Sequence, residues 1–134
     1  MTNEKQLKYS PMKEKVLLAE DDKTLSLLLK FRLEKEGYET FMAADGNEAQ
    51  RLIESSNPDI ILTDIMMPFS SGLEVISYVK ETLQRDTPII VFSAAGQEEM
   101  VLKAFSLGAT DFMSKPFSPN ELIMRIKRIL MQKK

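Results

Sequence analysis

The segment that decides the fold of this 134-residue chain is residues 59–68, DIILTDIMMP. Its first six residues form a nearly continuous apolar run of strand length, which ends at the carboxylate of Asp64. Strands with apolar residues on both faces are typical of parallel sheets that helices cover on both sides. The segment therefore predicts a buried strand. It leaves open whether Asp64 caps the following turn or is presented to a ligand.

Apolar runs of similar length alternate with longer amphipathic segments along the rest of the chain. The predicted strands are residues 16–19, 38–43, 59–64, 89–93 and 110–114. The predicted helices are residues 24–36, 45–56, 72–83, 97–107 and 118–132. Because parallel strands need crossover connections, five such units predict an open, doubly wound α/β sandwich with helices on both faces of one sheet.

The length and composition of the chain limit its organisation. A chain of 134 residues is expected to fold around one core. Residues 1–14 are polar and have neither helical nor strand periodicity, so we expect a flexible N-terminal tail followed by one domain over residues 15–133. No apolar run is long enough to span a membrane, and the first residues lack the apolar core of a signal peptide. These features predict a cytoplasmic protein without membrane contact.

Composition also restricts the chemistry. The net charge is -2, so direct binding of nucleic acid is not expected. There is no cysteine and no histidine, which excludes disulfides, thiolate chemistry and imidazole as a base or metal ligand. Any reaction must therefore use carboxylates, hydroxyls, lysine or the backbone.

Polar side chains cluster where the predicted strands end, and ligands of doubly wound sheets lie at the carboxyl ends of the strands. The side chains at these ends are Glu20, Asp21 and Asp22 after the first strand, Asp64 at the third, Ser93 at the fourth and Lys115 after the fifth. Each has an ordinary interpretation, since Asp22 can cap the following helix and a lysine is usually solvated. Their convergence favours a site, because neighbouring carboxylates repel one another unless a cation or proton intervenes.

The types of ligand atom in this cluster indicate which cation would bind there. With oxygen ligands alone, we expect Mg²⁺, with Mn²⁺ as a substitute, rather than zinc. A hydroxyl from Ser93 and the ammonium of Lys115 would then complete a site for a phosphoryl group. Asp64 is the best candidate for the nucleophile, because a carboxylate can attack phosphorus to give an aspartyl phosphate.

Four motifs in order resemble the receiver domain of bacterial two-component response regulators. They are KVLLAEDD at 15–22, ILTDIMMP at 61–68, PIIVFSA at 88–94 and GATDFMSKPF at 108–117. The resemblance extends from Lys15 to Ile129. It implies a flavodoxin-like, three-layer fold with five helices and a five-stranded parallel sheet of order 2-1-3-4-5.

The resemblance also implies a role for each residue of the cluster. Asp64 would accept the phosphoryl group, Asp21 and Asp64 would bind Mg²⁺ together with the backbone carbonyl of Met66, and Glu20 would act through water. Ser93 and Lys115 would contact phosphoryl oxygens, with the Lys115–Pro116 bond cis. Ser93 and Phe112 would form the switch that changes the face made by the fourth helix, fifth strand and fifth helix.

Partners follow from the same resemblance. The phosphoryl donor would be a sensor histidine kinase or a phosphotransfer protein, and the chain would be either a stand-alone receiver or a piece that precedes an effector domain. Residues 108–130 are most similar to receivers of the winged-helix DNA-binding subfamily, which dimerise through salt bridges on that face. Asp111 and Arg125 could form one such pair, but Val101 and Ser106 stand where other charged partners are expected, which predicts a weak homodimer.

Two other functions stay open at this point. A small Mg²⁺-dependent phosphatase or phosphotransferase would favour a second acid two residues after Asp64, and that position is Met66. A receiver-like docking module that works without phosphorylation would not need the acidic cluster. On the preferred interpretation the chain is not an enzyme beyond self-catalysed transfer to Asp64 and slow autodephosphorylation.

Overall fold

The computed structural model describes residues 12–133. Of the predicted tail, residues 1–11 lie outside the described residues, and residues 12–14 belong to neither a helix nor a strand. Among the helices of the described part, none is long and apolar enough to span a membrane.

Five parallel strands form one sheet in the order β2-β1-β3-β4-β5, so the predicted fold is confirmed. The strands are β1 (Lys15–Ala19), β2 (Glu39–Ala43), β3 (Ile60–Asp64), β4 (Ile89–Ser93) and β5 (Asp111–Ser114). Because β3 is central, Asp64 at its carboxyl end lies between the ends of β1 and β4.

The helices are α1 (Lys23–Lys35), α2 (Gly46–Ser56), α3 (Gly72–Ser77), α4 (Glu98–Leu107) and α5 (Pro119–Lys133). Asp22 caps α1 by accepting hydrogen bonds from the N–H groups of Thr24 and Leu25. Asp45 caps α2 as predicted, accepting from Glu48 N–H. The predicted boundaries agree with these ranges to within one residue, except at the end of α3.

The prediction of one α-helix over residues 72–83 is wrong after Ser77. The residues that follow α3, Tyr78–Thr82, form a π-helical turn, and Leu83 N–H donates to the carbonyl of Tyr78. The extra residue in the turn is accommodated while Val75, Ile76 and Val79 all remain buried. Hydrophobic spacing alone does not reveal it, because both helix types keep these residues on the core side.

The sheet divides the core into two layers. Ile60 and Leu62 of β3 pack in the layer that contains buried residues of α1 and α5, whereas Ile61 packs in the layer that contains buried residues of α2, α3 and α4. All three side chains are fully buried. The alternation of faces explains why the strand is apolar at every position, and it fixes the direction in which β3 delivers Asp64.

Candidate functional site

Three carboxylates meet at the carboxyl ends of β1 and β3. Glu20 and Asp64 are buried, Asp21 is exposed, and one carboxylate oxygen from each lies within 4.8 Å of the others. Glu20 Oε2 accepts a hydrogen bond of 3.1 Å from Asp22 N–H, which holds the Glu20 side chain against the β1–α1 loop. The structure thus brings together the predicted acidic residues.

Lys115 reaches this cluster from β5. Its Nζ lies 2.8 Å from Glu20 Oε1 and 3.0 Å from Asp64 Oδ2. Lys115 N–H donates to the carbonyl of Ser93 at 2.7 Å, so the lysine backbone is fixed to the end of β4. The bond between Lys115 and Pro116 is cis, as the resemblance implied.

The charges of the cluster perturb two of its members. Burial raises the pKa of the Glu20 carboxyl, and the neighbouring Lys115 ammonium and Asp22 N–H oppose that rise in part. Burial alone would lower the pKa of Lys115, but the carboxylates of Glu20 and Asp64 outweigh it and raise that pKa. Three carboxylates facing one ammonium leave an excess of negative charge, which suits a cation with oxygen ligands.

Ser93 lies at the end of β4, one residue beyond the residue that pairs with Asp64. The side chain is buried and borders a cavity that also reaches Lys115. By contrast, the hydroxyl of Thr63 donates to the carbonyl of Asp64 at 3.0 Å and is therefore already used. Ser93 is thus the candidate hydroxyl beside the carboxylates.

Comparison with known proteins identifies this arrangement. The family model for the response regulator receiver domain matches residues 16–127. The chain belongs to the response regulator receiver family. It is therefore the receiver domain of a two-component response regulator.

Solved receivers have the same fold. The receiver domain of the Francisella response regulator 1452 is 36% identical, with 90% of this chain and 99% of that chain covered and a TM-score of 0.82. The chemotaxis response regulator CheY4 of Vibrio cholerae is 30% identical over 87% of this chain and 98% of that one, with a TM-score of 0.80. NtrX from Brucella abortus is 29% identical with a TM-score of 0.82; the match covers 90% of this chain but 28% of NtrX.

The β3–α3 loop follows Asp64 directly. Met66, whose backbone carbonyl was predicted as a ligand, lies two residues after Asp64 with its side chain half-exposed. Phe69 has a φ of 70° and is almost fully exposed, and Ser70 N–H donates to the carbonyl of Pro68 at 2.8 Å. The loop therefore makes a tight turn before α3 begins.

Phe112, the predicted switch aromatic of the receiver, points away from the core. Its side chain is 37% exposed and packs edge-on against Phe105, with ring centroids 6.0 Å apart and an interplanar angle of 88°. Both rings border a cavity of about 520 Å³ that extends to Ser93 and Lys115. The cavity gives the ring of Phe112 space beside the carboxyl end of the sheet.

Two contacts of the receiver site were not anticipated from the sequence. The pairing of Lys115 with Glu20 as well as Asp64 was missed, although the excess of acids over one lysine was a signal for it. The sequence named Asp111 and Arg125 as a pair that could form between two copies of the chain; within the chain, Arg125 lies 3.1 Å from Asp111 and 2.6 Å from Glu121. Nothing in the sequence pattern distinguishes these two uses of an arginine.

Proposed function

We propose that this receiver domain accepts a phosphoryl group on Asp64 from a sensor histidine kinase or a phosphotransfer protein. The observation that carries the proposal is the position of Lys115 Nζ, which lies 2.8 Å from Glu20 and 3.0 Å from Asp64 at the end of the central strand. An ammonium held beside a buried carboxylate can stabilise the negative charge that a phosphoryl group brings to that carboxylate.

The proposed reaction is a phosphoryl transfer. An oxygen of Asp64 forms a bond to phosphorus while the P–N bond of the donor phosphohistidine breaks, and the imidazole leaves with the electron pair and takes up a proton. Ser93, which lines the same cavity as Lys115, would bind one phosphoryl oxygen through its hydroxyl, and Lys115 would pair with another. Slow hydrolysis of the acyl phosphate returns Asp64 to its carboxylate, so the domain acts as a switch.

A divalent metal fits the residues present. Glu20, Asp21 and Asp64 supply oxygens within 4.8 Å of one another, and hard oxygen ligands favour Mg²⁺, with Mn²⁺ as a substitute. Asp21 and Asp64 would bind it directly with the Met66 carbonyl, and Glu20 would act through water. When bound, the ion supplies positive charge that neutralises the transferring group.

The output would pass through the face formed by α4, β5 and α5. Phe112 borders both this face and the cavity next to Ser93, so a change in its orientation would report phosphorylation on the surface. NtrX, in which the matched region is 28% of the chain, supports a role for such a receiver ahead of an effector domain. Similarity to the winged-helix subfamily makes a DNA-binding effector the preferred one, and the receiver itself would not contact nucleic acid.

We expect homodimerisation through this face to be weak. Arg125 is already paired within the chain with Asp111 and Glu121, and Lys127 lies 2.8 Å from Glu36. Partner-facing salt bridges would have to replace these contacts. A tight phosphorylation-dependent dimer that Arg125→Glu abolishes would contradict this expectation, and analytical ultracentrifugation with and without phosphodonor would reveal it.

The test of the function is intact-mass measurement after incubation with acetyl phosphate and Mg²⁺. One added phosphoryl group is expected, and it should disappear in Asp64→Asn and after chelation of the metal. Asp45→Asn is the matched control, because Asp45 caps α2 and asparagine caps equally well. Turnover of free phosphate esters without an adduct would favour the phosphatase alternative. Neither an adduct nor turnover would favour a phosphorylation-independent docking module.

A further inference from the structure

Side chains bind outward-facing backbone groups on the outer edge of β5. Within residues 12–133, β5 pairs with β4 alone, so an edge strand of this kind leaves backbone groups facing outward. Here Phe112 N–H donates to Asp111 Oδ1 at 2.8 Å, and the Phe112 carbonyl accepts from Arg125 Nη1, also at 2.8 Å. Side chains therefore satisfy both outward groups of the Phe112 backbone.

The two side chains also bind each other. Arg125 Nη1 lies 3.1 Å from Asp111 Oδ2, so Asp111, the Phe112 backbone and Arg125 form a closed ring, which we call the edge clamp. Both charged side chains are partly buried, which strengthens their contact relative to a fully exposed pair. Glu121 Oε2 accepts a hydrogen bond from Arg125 Nη2 at 2.6 Å and lies outside the ring.

The edge clamp lies close in sequence to the phosphoacceptor site. Phe112 is three residues before Lys115, and the intervening residues belong to a strand that pairs with β4 along one side only. Any slip or twist of β5 would move Lys115, whose Nζ contacts Glu20 and Asp64. A four-residue edge strand has few ladder hydrogen bonds of its own, so an added attachment on its free side has a large effect on its position.

We propose that Arg125 and Asp111 are positioning residues for phosphoryl transfer to Asp64. They touch none of the reacting atoms; they hold the Phe112 backbone, and through β5 they hold Lys115 where it can stabilise the incoming phosphoryl group. The inference rests on the proposed function, because the reaction is its readout. The same contacts fix the backbone from which the Phe112 ring packs against Phe105.

The test compares initial rates of Asp64 phosphorylation across concentrations of acetyl phosphate at saturating Mg²⁺. Arg125→Met and Asp111→Ala should each lower the maximal rate at least about fivefold with little change in the donor concentration for half-maximal rate, since a misplacement of 1 Å can cost about 100-fold. The double variant should be little slower than either single variant, because both open the same ring. Arg125→Lys keeps the charge and one donor, and it should restore part of the rate.

Two controls isolate the edge clamp. Arg128→Met removes a neighbouring arginine that is mostly exposed and 3.7 Å from Asp111, and Glu121→Gln removes the charge outside the ring. Both should keep the rate within about twofold of the original protein. Amide chemical shifts of Phe112 and Lys115 should move in Arg125→Met, and in smaller degree in Arg125→Lys, while the rest of the sheet keeps its shifts.

The outcomes separate the two proposals. If Arg125→Met and Arg125→Lys are phosphorylated at the original rate while Asp64→Asn is not, the edge clamp has no positioning role and the proposed function stands. If the original protein is not phosphorylated, the proposed function fails. In that case the amide chemical shifts alone test the edge clamp. Unchanged shifts of Lys115 in Arg125→Met would overturn its positioning role, and altered shifts would support it.

Discussion

The tight contact between the start of α3 and the end of β3 can be tested by adding one methyl group to Gly72. Gly72 is the first residue of α3, and a Cβ at this position would collide with the carbonyl oxygen of Asp64 and lie 3.0 Å from Ile65 Cα. The obstructing atoms belong to the backbone at the end of β3, so they cannot rotate away. We therefore predict that Gly72→Ala pushes α3 and the end of β3 apart.

The magnitude follows from ordinary contact distances. Carbon atoms pack at about 3.5–4.0 Å, so the helix start has to move by roughly 1 Å. Overpacking of this kind costs about 1–3 kcal/mol, and the higher helix propensity of alanine offsets at most ~1 kcal/mol of it. For a domain of this size we expect Tm to fall by roughly 3–5 °C for each kcal/mol lost. Movement at Asp64 should also slow its phosphorylation, by up to ~100-fold.

Urea unfolding and the rate of phosphorylation by acetyl phosphate measure the two effects. Gly37→Ala is the matched control: no atom lies within 4 Å of a Cβ there, but φ is +97° and the position is at the opposite end of the sheet. Alanine in that backbone conformation costs about 1–2 kcal/mol, so this variant should lose stability and keep the original rate. A Gly72→Ala protein with unchanged unfolding and unchanged rate would refute the reasoning, as would an equal loss of rate in both variants.

Three further predictions concern other contacts. Asp22→Ala removes the α1 cap and should lower the free energy of unfolding by about 0.5–2 kcal/mol in urea titrations. Phosphorylation of Asp64 should stay intact, because the Asp22 carboxylate binds the helix N-terminus. Loss of phosphorylation would contradict this. Burial raises the pKa of the Tyr38 phenol above 10.0, and the nearby Glu14 charge adds to the rise. The protonated phenol therefore contributes its full stability below pH 10.0, and that contribution is lost as pH rises through the raised pKa. Tyr38→Phe should therefore lose less stability than the original protein between pH 8 and pH 11 in urea titrations, and parallel losses would show the assignment to be wrong. The hydrogen bond from Lys127 lowers the pKa of Glu36 below 4.5, so the stability from that pair is present above pH 4.5 and is lost as pH falls through the lowered pKa. The difference in urea midpoint between the original protein and Glu36→Gln should be small at pH 7, shrink as the pH falls below 4.5, and vanish in about 1 M salt; a difference that persists in salt would exclude this origin.

Much of the candidate site could be predicted because it depends on a topological rule. In a doubly wound parallel sheet the carboxyl ends of the strands share one edge, so Glu20, Asp64, Ser93 and Lys115 had to converge once their strands were assigned. The strands themselves were readable because buried parallel strands are apolar at successive positions, as in Ile60–Asp64. The family resemblance then agreed with the observed order of the strands.

The features that escaped prediction depend on distances between elements remote in sequence. Whether Arg125 binds a second chain or its own β5 depends on where α5 lies against the sheet edge, and periodicity does not encode that distance. The π-helical turn after Ser77 leaves the apolar spacing intact and so gives no signal. Likewise, the space available at Gly72 is set by how closely α3 approaches β3, which the sequence alone does not specify.

The parallel arrangement of the strands also separates the molecule into two ends with different tolerance for engineering. Every crossover returns the chain to the edge opposite Asp64, where Asp86 lies in the α3–β4 connection with its side chain 96% exposed. Strands of five residues place that edge roughly 13–17 Å from the phosphoacceptor end. A fluorescent reporter or affinity tag inserted beside Asp86 would therefore leave the carboxylates, Lys115 and the edge clamp untouched, and the domain could be built into a biosensor without redesign of its signalling surface.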